Sequence, residues 1–402
     1  MNIRAMRIID YWLGRPLCFL FSVANFIARI IGLGRRKQKA GQEKILFIKL
    51  SEMGAIVLAY PLMNKMKEER QSEEMFFLTF SKNRDIFKIL GGIIPDKNIF
   101  VIREDCIFLF IMDTFRVISK IRKEKIDIVF DLELFSRFTS ILAYLSNARK
   151  SIGYFKFTFE GLYRGSLLTH RFQYNPFLHI SKSYLALLQG IEKEKKLSPE
   201  LEKRIEDSEV SLPGFISETK IKDAMKQRLN ECGIGQGKRI ILINPGEGAL
   251  PLREWPIENF IALSRRILEN SADCIVIIGT KDASKKSKLL SGALNNKRCV
   301  DFTGKTSLDE LMELFNIASI LITNDCGLAH LAALTPIKKL VFFGPETPRV
   351  FGPLGDNNTI FYSHLPCSPC LSAFNNRDSQ CRDNKCLKAI DPNYVYQLIK
   401  DL

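Results

Sequence analysis

The chain has 402 residues, 46% of them apolar and 26% charged, which is long enough for two domains with substantial cores and excludes a disordered chain. A formal net charge of +15 asks for an anionic partner, and nucleic acid, anionic lipid and phosphorylated substrates are the candidate classes. No recognised nucleic-acid module or single basic recognition helix is present, so nucleic acid is set aside as a partner.

Residues 1–40 make a first segment. It is apolar from Leu17 to Ile31 apart from Ser22, Asn25 and Arg29, and it ends in Arg35-Arg36-Lys37-Gln38-Lys39. A bilayer span takes about 20 apolar residues. This run is shorter and carries Arg29, so it reads as an amphipathic helix in a membrane interface, not as a span. Tyr11 and Trp12 suit a headgroup boundary, and the basic cluster suits an anionic membrane surface. A helix packed on the protein's own surface is the alternative. A signal peptide is disfavoured, because no small-x-small cleavage site comes before the basic cluster.

From Lys44 the pattern changes. Strands are predicted at 45–50, 76–80, 99–102 and 126–130 with helical stretches between them, so residues 41–212 form a Rossmann-like domain whose parallel sheet is covered on both faces. The first strand runs into Ser51-Glu52-Met53-Gly54 and not into G-x-G-x-x-G, which argues against a nicotinamide or flavin enzyme. Residues 150–190 are aromatic and basic and read as a loop, either facing an acceptor or packed on its own domain. Residues 192–222, with Pro199 and Pro213, read as a linker. The theme repeats over 213–390, with strands at 239–243, 274–278, 299–302, 320–323 and 340–343, and residues 391–402 form a closing helix. The expected fold class is α/β: two doubly wound Rossmann-like domains facing across a cleft. Ligand loops at 51–55, 245–253, 279–282, 303–307 and 324–330 would lie outside the carboxyl ends of their strands.

The sharpest of these loops is Thr323-Asn324-Asp325-Cys326-Gly327-Leu328-Ala329-His330. An apolar run stops at an acid and a glycine and a helical pattern begins at once, so free N–H groups and the positive end of a helix converge on one point. Gly327 keeps side-chain atoms away from an approaching phosphate. Asp282, after Ile278-Gly279, is placed either to accept bonds from ribose hydroxyls or to cap the following helix.

Five stretches in this order resemble glycosyltransferase family 9, the heptosyltransferase-like enzymes: Lys49-Leu50-Ser51-Glu52-Met53-Gly54; Asn244-Pro245-Gly246 with Arg253-Glu254-Trp255-Pro256; Asp301-Phe302-Thr303-Gly304-Lys305; Asn324-Asp325-Cys326-Gly327 with His330; and Phe343-Gly344-Pro345. The resemblance covers roughly residues 44–400. It implies a GT-B fold, an N-terminal acceptor domain, a C-terminal domain for a nucleotide-diphosphate sugar as co-substrate, and inversion without a catalytic metal. The acceptor would be a glycolipid or glycan of the lipopolysaccharide type, and the location cytoplasmic, peripheral on the inner face of the cytoplasmic membrane. By similarity the donor would be held by Ser51, Gly54, Asn244, Gly246, Arg253, Thr303, Lys305, Asn324, Asp325, Cys326, Gly327 and His330. Without a metal, a departing diphosphate must be stabilised by cations and N–H groups of the protein.

Inversion also needs a base for the acceptor hydroxyl. The family places an Asp directly after the glycine of the first loop, where this chain has Ala55. Three readings stay open: Glu52 has taken over; Asp131 or Glu133, at the end of another strand, does the work; or the protein binds nucleotide sugar or glycan without turnover. At the far end, Cys367, Cys370, Cys381 and Cys386 have C-x2-C-x10-C-x4-C spacing, which suits a structural zinc, with disulfides as the rival.

Overall fold

Ile45, Leu46, Phe47 and Ile48 carry no polar break, so a strand there must be covered on both faces, and all four side chains are fully buried. The computed structural model describes residues 3–32, 43–69, 74–157, 162–192, 202–235, 237–246 and 250–402. The basic cluster at 35–39, part of the expected linker and part of the loop after Gly246 lie outside the described residues.

The strand Ile45–Ile48 (β1) is followed by β2 (Met75–Phe80), β3 (Ile99–Ile102), β4 (Ile128–Asp131), β5 (Lys150–Phe155) and β6 (His170–Gln173). They form one parallel sheet in the order β3-β2-β1-β4-β5-β6. A second parallel sheet has the order β12-β11-β10-β7-β8-β9. Its strands are β7 (Ile240–Asn244), β8 (Cys274–Ile277), β9 (Cys299–Asp301), β10 (Ile320–Asn324), β11 (Lys338–Phe343) and β12 (Asn358–Tyr362). The order reverses between β1 and β4 in the first sheet and between β7 and β10 in the second. In such sheets ligands bind outside the carboxyl ends of the strands at that reversal. The residues brought there are Ser51 and Asp131 in one sheet, Asn244 and Asn324 in the other.

The 150–190 stretch is not a loop, as expected, but carries β5 and β6. Its cations hid the pattern: His170-Arg171-Phe172-Gln173 alternates buried and part-buried, the period of an edge strand.

The chain divides into two compact units, Met1–Val210 with Ser372–Asp378, and Ser211–Leu371 with Ser379–Leu402. The short return to the first unit has no counterpart in the expected boundaries at 212 and 390. Phe374 carries it, packing its ring 5.9 Å from Phe135 and 5.5 Å from Tyr174.

In the first unit the N-terminal helices α1 (Ile3–Trp12) and α2 (Gly14–Ile30) precede α3 (Met53–Leu58), α4 (Ile107–Glu124) and α5 (Arg137–Leu145). By length and composition only, Ala5–Ile30 is apolar enough to cross a membrane. One face of it is nonetheless bound to its own domain. Asp10 accepts the N–H groups of Arg137 and Phe138 at 3.0 and 2.9 Å, adding a negative charge at the start of α5. Ser22 Oγ accepts from Ser166 N at 2.8 Å, and Asn25 donates to Ser166 O at 3.3 Å. The opposite face leaves Trp12, Leu20, Phe26 and Ile30 exposed. In the second unit, α6 (Gly327–Ala332) leaves β10, and α7 (Pro392–Asp401) buries Val395, Tyr396 and Ile399 in the same core as Trp255, Phe260 and Phe342.

Candidate functional site

In the second unit the loops after β7 to β10 pack on one another at the reversal. Asn244 donates Nδ2 to Thr323 Oγ1 at 3.0 Å and to Cys326 Sγ at 3.4 Å. A Cβ on Gly246 would stand 2.7 Å from Ala283 Cβ, so only glycine allows this approach. Gly304 donates to Gly279 O at 2.8 Å, and Thr303 N to Asp301 Oδ1 at 2.9 Å. Asp282 and Lys305 are exposed at the rim. The cap of the helix after Asp282 is Ala283, with no side-chain hydrogen bond, so Asp282 does not play the capping part.

The second wall is built around a buried cation. Arg253 stands 3.1 Å from the Asp325 carboxylate, the two side chains 8% and 5% exposed, and it also donates to the Asp325 carbonyl. Asn324 Oδ1 accepts from Trp255 N at 2.8 Å, and Trp255 is fixed by stacking on Phe342 and by donating Nε1–H to Ile390 O at 3.1 Å. The chain thus locks Arg253 beside the end of β10. Cys326 occupies the N-cap position of α6 without a side-chain bond to it, Gly327 is exposed, and His330 is buried at the fourth helical position. With six residues, α6 adds little dipole of its own, so the guanidinium is the principal positive charge there.

Among the described residues, no partner meets Asn244 Oδ1, Asn324 Nδ2 or Thr303 Oγ1, although all three atoms are buried. Buried polar atoms are nearly always satisfied in folded proteins. The three atoms lie on neighbouring loops at the carboxyl ends of their strands.

In the first unit Asp131 and Glu133 are bound to different partners. β4 ends at Asp131, and Phe135 at φ +61° breaks the strand period beyond it. Asp131 is fully buried; it accepts from Arg164 Nη2, from Thr139 Oγ1 at 3.1 Å and from Glu133 N at 3.2 Å. Bound in this way, its carboxylate is taken up inside the first unit, which weighs against the catalytic part expected of it. Glu133 Oε1 accepts from Leu50 N, Ser51 N and Ser51 Oγ at 2.9, 3.0 and 3.1 Å, and Oε2 meets Lys49 Nζ at 2.8 Å. Burial opposes its charge, but Lys49 and these N–H groups outweigh burial and hold its carboxyl below the usual range. Glu133 and Ser51 therefore fix the first loop.

Glu52 is what that loop presents. It is exposed, has φ +64°, and occupies the cap position of α3 with no side-chain bond to the helix; Gly54 and Ala55 follow inside α3. Its Oε1 accepts from Arg377 Nη1 at 2.5 Å, and Arg377 lies on the returning segment of the same unit. Arg137, close in sequence to Asp131 and Glu133, pairs instead with Asp10 at 3.0 Å. The ion-pair partners of Lys49, Arg164 and Arg377 were not readable from the sequence. An unpaired buried Asp or Glu implies a buried cation somewhere, but nothing local says which one.

The four C-terminal cysteines do not meet the zinc expectation. Among the described residues no three His, Cys, Asp or Glu side chains stand as a metal-ligating group. Cys367 is exposed, Cys386 is buried, and Cys381 donates to the Asp383 carbonyl at 3.1 Å. Burial pushes the Cys386 thiol up, with Cys370 and Cys381 adding to the shift.

The profile of the family described as glycosyltransferase family 9 (heptosyltransferase) matches residues 114–379, which include the loops of the second unit. The chain is similar to lipooligosaccharide heptosyltransferase 2 of Haemophilus influenzae, 28% identical over 123 residues, or 30% of this chain and 36% of that protein. It thus spans about a third of the length of this curated relative. Among solved structures it is similar to Escherichia coli ADP-heptose LPS heptosyltransferase II, with a TM-score of 0.65 and 17% identity over 89% of this chain and 98% of that one. It is also similar to a family 9 glycosyltransferase from Veillonella parvula, with a TM-score of 0.67 and 17% identity over 90% and 98% of the two chains. At these identities the likeness carries the fold, which is GT-B.

Proposed function

The chain belongs to glycosyltransferase family 9, and on that premise we propose that it is an inverting transferase moving a sugar, in the simplest case a heptose, from a nucleotide-diphosphate donor to a lipopolysaccharide-type acceptor. The observation that carries the reading is the buried Arg253–Asp325 pair among three orphaned polar atoms at the reversal of the second sheet. Arg253 and the N–H groups around Gly327 bind the diphosphate, while Asn244, Thr303, Lys305, Asp282 and His330 orient nucleoside and sugar. ADP-heptose, named for the Escherichia coli protein, is the first donor to try.

In the reaction the acceptor hydroxyl oxygen bonds to the anomeric carbon as the carbon–oxygen bond to the diphosphate breaks. Glu52 takes the hydroxyl proton, and the charge growing on the departing phosphate falls to Arg253. The membrane face of the reading rests on α1 and α2, which bind their own domain on one side and turn Trp12, Leu20 and Phe26 outward on the other. A helix pair held in this way lies along a bilayer's inner surface without crossing it.

Purified protein, ADP-heptose and a deacylated lipopolysaccharide acceptor test the reading. Glu52→Gln is expected to slow transfer by about a hundredfold or more while donor affinity is unchanged. A normal rate in the variant sinks the base assignment. Transfer is also expected to survive EDTA, since the cations proposed to hold the diphosphate belong to the protein. A second reading, a nucleotide-sugar or glycan binder without turnover, rests on Ala55 and is chosen if donor binds but neither transfer nor hydrolysis occurs.

A further inference from the structure

We propose that α4 is a second lipid-inserting element, so that the first unit meets the bilayer through α1, α2 and α4 together and not through its N-terminal helices alone. This rests on the membrane reading above and adds an element to it. Ile107, Phe108, Ile111, Met112 and Phe115 recur at helical spacing along one face of α4, and all five are exposed, Phe108 by 65% and Phe115 by 70%. Their backs are tied to the core through Val117 and Ile121, so the exposed stripe belongs to a fixed helix.

The packed side of α4 and α1 meet the same residues of the core. Phe110 of α4 packs 5.0 Å from Phe138, whose N–H is the one that Asp10 of α1 accepts, and Met6 of α1 packs against the same core cluster. Both helices therefore flank the first turn of α5.

The charges identify the occupant as an anionic bilayer. Every acid on the three helices is engaged by a cation: Asp10 by Arg137, Asp113 by Arg103 and Arg116, Glu124 by Lys44. The bases Arg15, Arg29, Lys120 and Lys123 are exposed. Apolar side chains rimmed by bases, with the acids neutralised, suit acyl chains below anionic headgroups; a partner protein would be expected to offer acids and a shaped pocket.

The test is flotation of the full chain with phosphatidylcholine vesicles containing a quarter phosphatidylglycerol. Wild type is expected to bind. Phe108→Ser with Ile111→Ser and Phe115→Ser is expected to weaken partitioning by about tenfold or more, with donor affinity and circular dichroism unchanged. Phe115→Trp in a Trp12→Phe background is expected to be quenched by brominated acyl chains. If wild type binds while the triple variant binds equally and Trp at 115 is not quenched, α4 is not a lipid contact and the N-terminal reading stands alone. If wild type fails to bind, the membrane reading itself is lost, and α4 with it. If the triple variant alters only the oligomeric state, the stripe joins copies of the chain and the proposal is overturned.

Discussion

Arg253 serves two purposes with one guanidinium. It neutralises the buried Asp325 and is proposed to meet the donor's phosphates, so its loss should register in stability as well as in binding. Arg253→Met leaves an uncompensated buried carboxylate and is expected to cost about 3 kcal/mol of unfolding free energy in urea titrations. Adding Asp325→Asn should restore much of that loss while donor binding stays weak, which separates the two purposes. Arg377 is different, because it reaches an exposed carboxylate. Arg377→Ala should leave stability nearly unchanged and lower kcat with little effect on donor affinity, since it positions Glu52 and touches no phosphate in the proposed scheme. These residues also differ in how far the sequence exposed them. Arg253, Asn324 and Asp325 stand in short runs with recognisable neighbours. Arg164 and Arg377 lie 33 and 325 positions from the carboxylates they bind, and no local pattern links such partners.

At the scale of single elements, α2 and α4 are each held by one unusual contact. Gly165 has φ +69°, and a Cβ there would fall 2.8 Å from the Cys18 carbonyl and 2.7 Å from Ser22 Oγ. Gly165→Ala combines left-handed strain of about 1–2 kcal/mol with a direct push on α2. Faster proteolytic cleavage of the N-terminal segment is the expected result. α4 is anchored by Asp113, to which Arg103 donates Nε and Nη2 at 2.7 and 2.9 Å. The hydrogen-bonded guanidinium of Arg103 holds this carboxyl at about 2, despite burial. Because the folded value lies below that of an unfolded Asp, the stabilising contribution is complete above about pH 4 and is lost as pH falls through about 2. Stability curves of wild type and Asp113→Asn should therefore converge in strong acid and separate above it. Long apolar strands such as β1 and β7 were plain from sequence. β5, β6 and β12 were not, because Lys150, His170, Arg171 and Asn358 interrupt the run that betrays a fully buried strand.

For the whole molecule, the repeat of six parallel strands with a reversal beside the first is what turns scattered loops into two sites, one at each reversal. The repeat of a doubly wound parallel sheet in each half was legible; the strand order, β5, β6 and β12 were not. The way the backbone is shared between the units was not, because a seven-residue visit such as Ser372–Asp378 leaves no periodic trace. It makes the polypeptide cross between units three times, after Val210, after Leu371 and after Asp378. The units therefore cannot be divided by a single cut. A gene split after codon 210 would yield a first piece whose Phe135 and Tyr174 lack the Phe374 ring and whose Glu52 lacks Arg377. That piece should be poorly soluble by itself and recover when co-expressed with 211–402. It should not recover when the second piece has 372–378 replaced by a glycine-serine linker, so the smallest functional parts overlap in sequence.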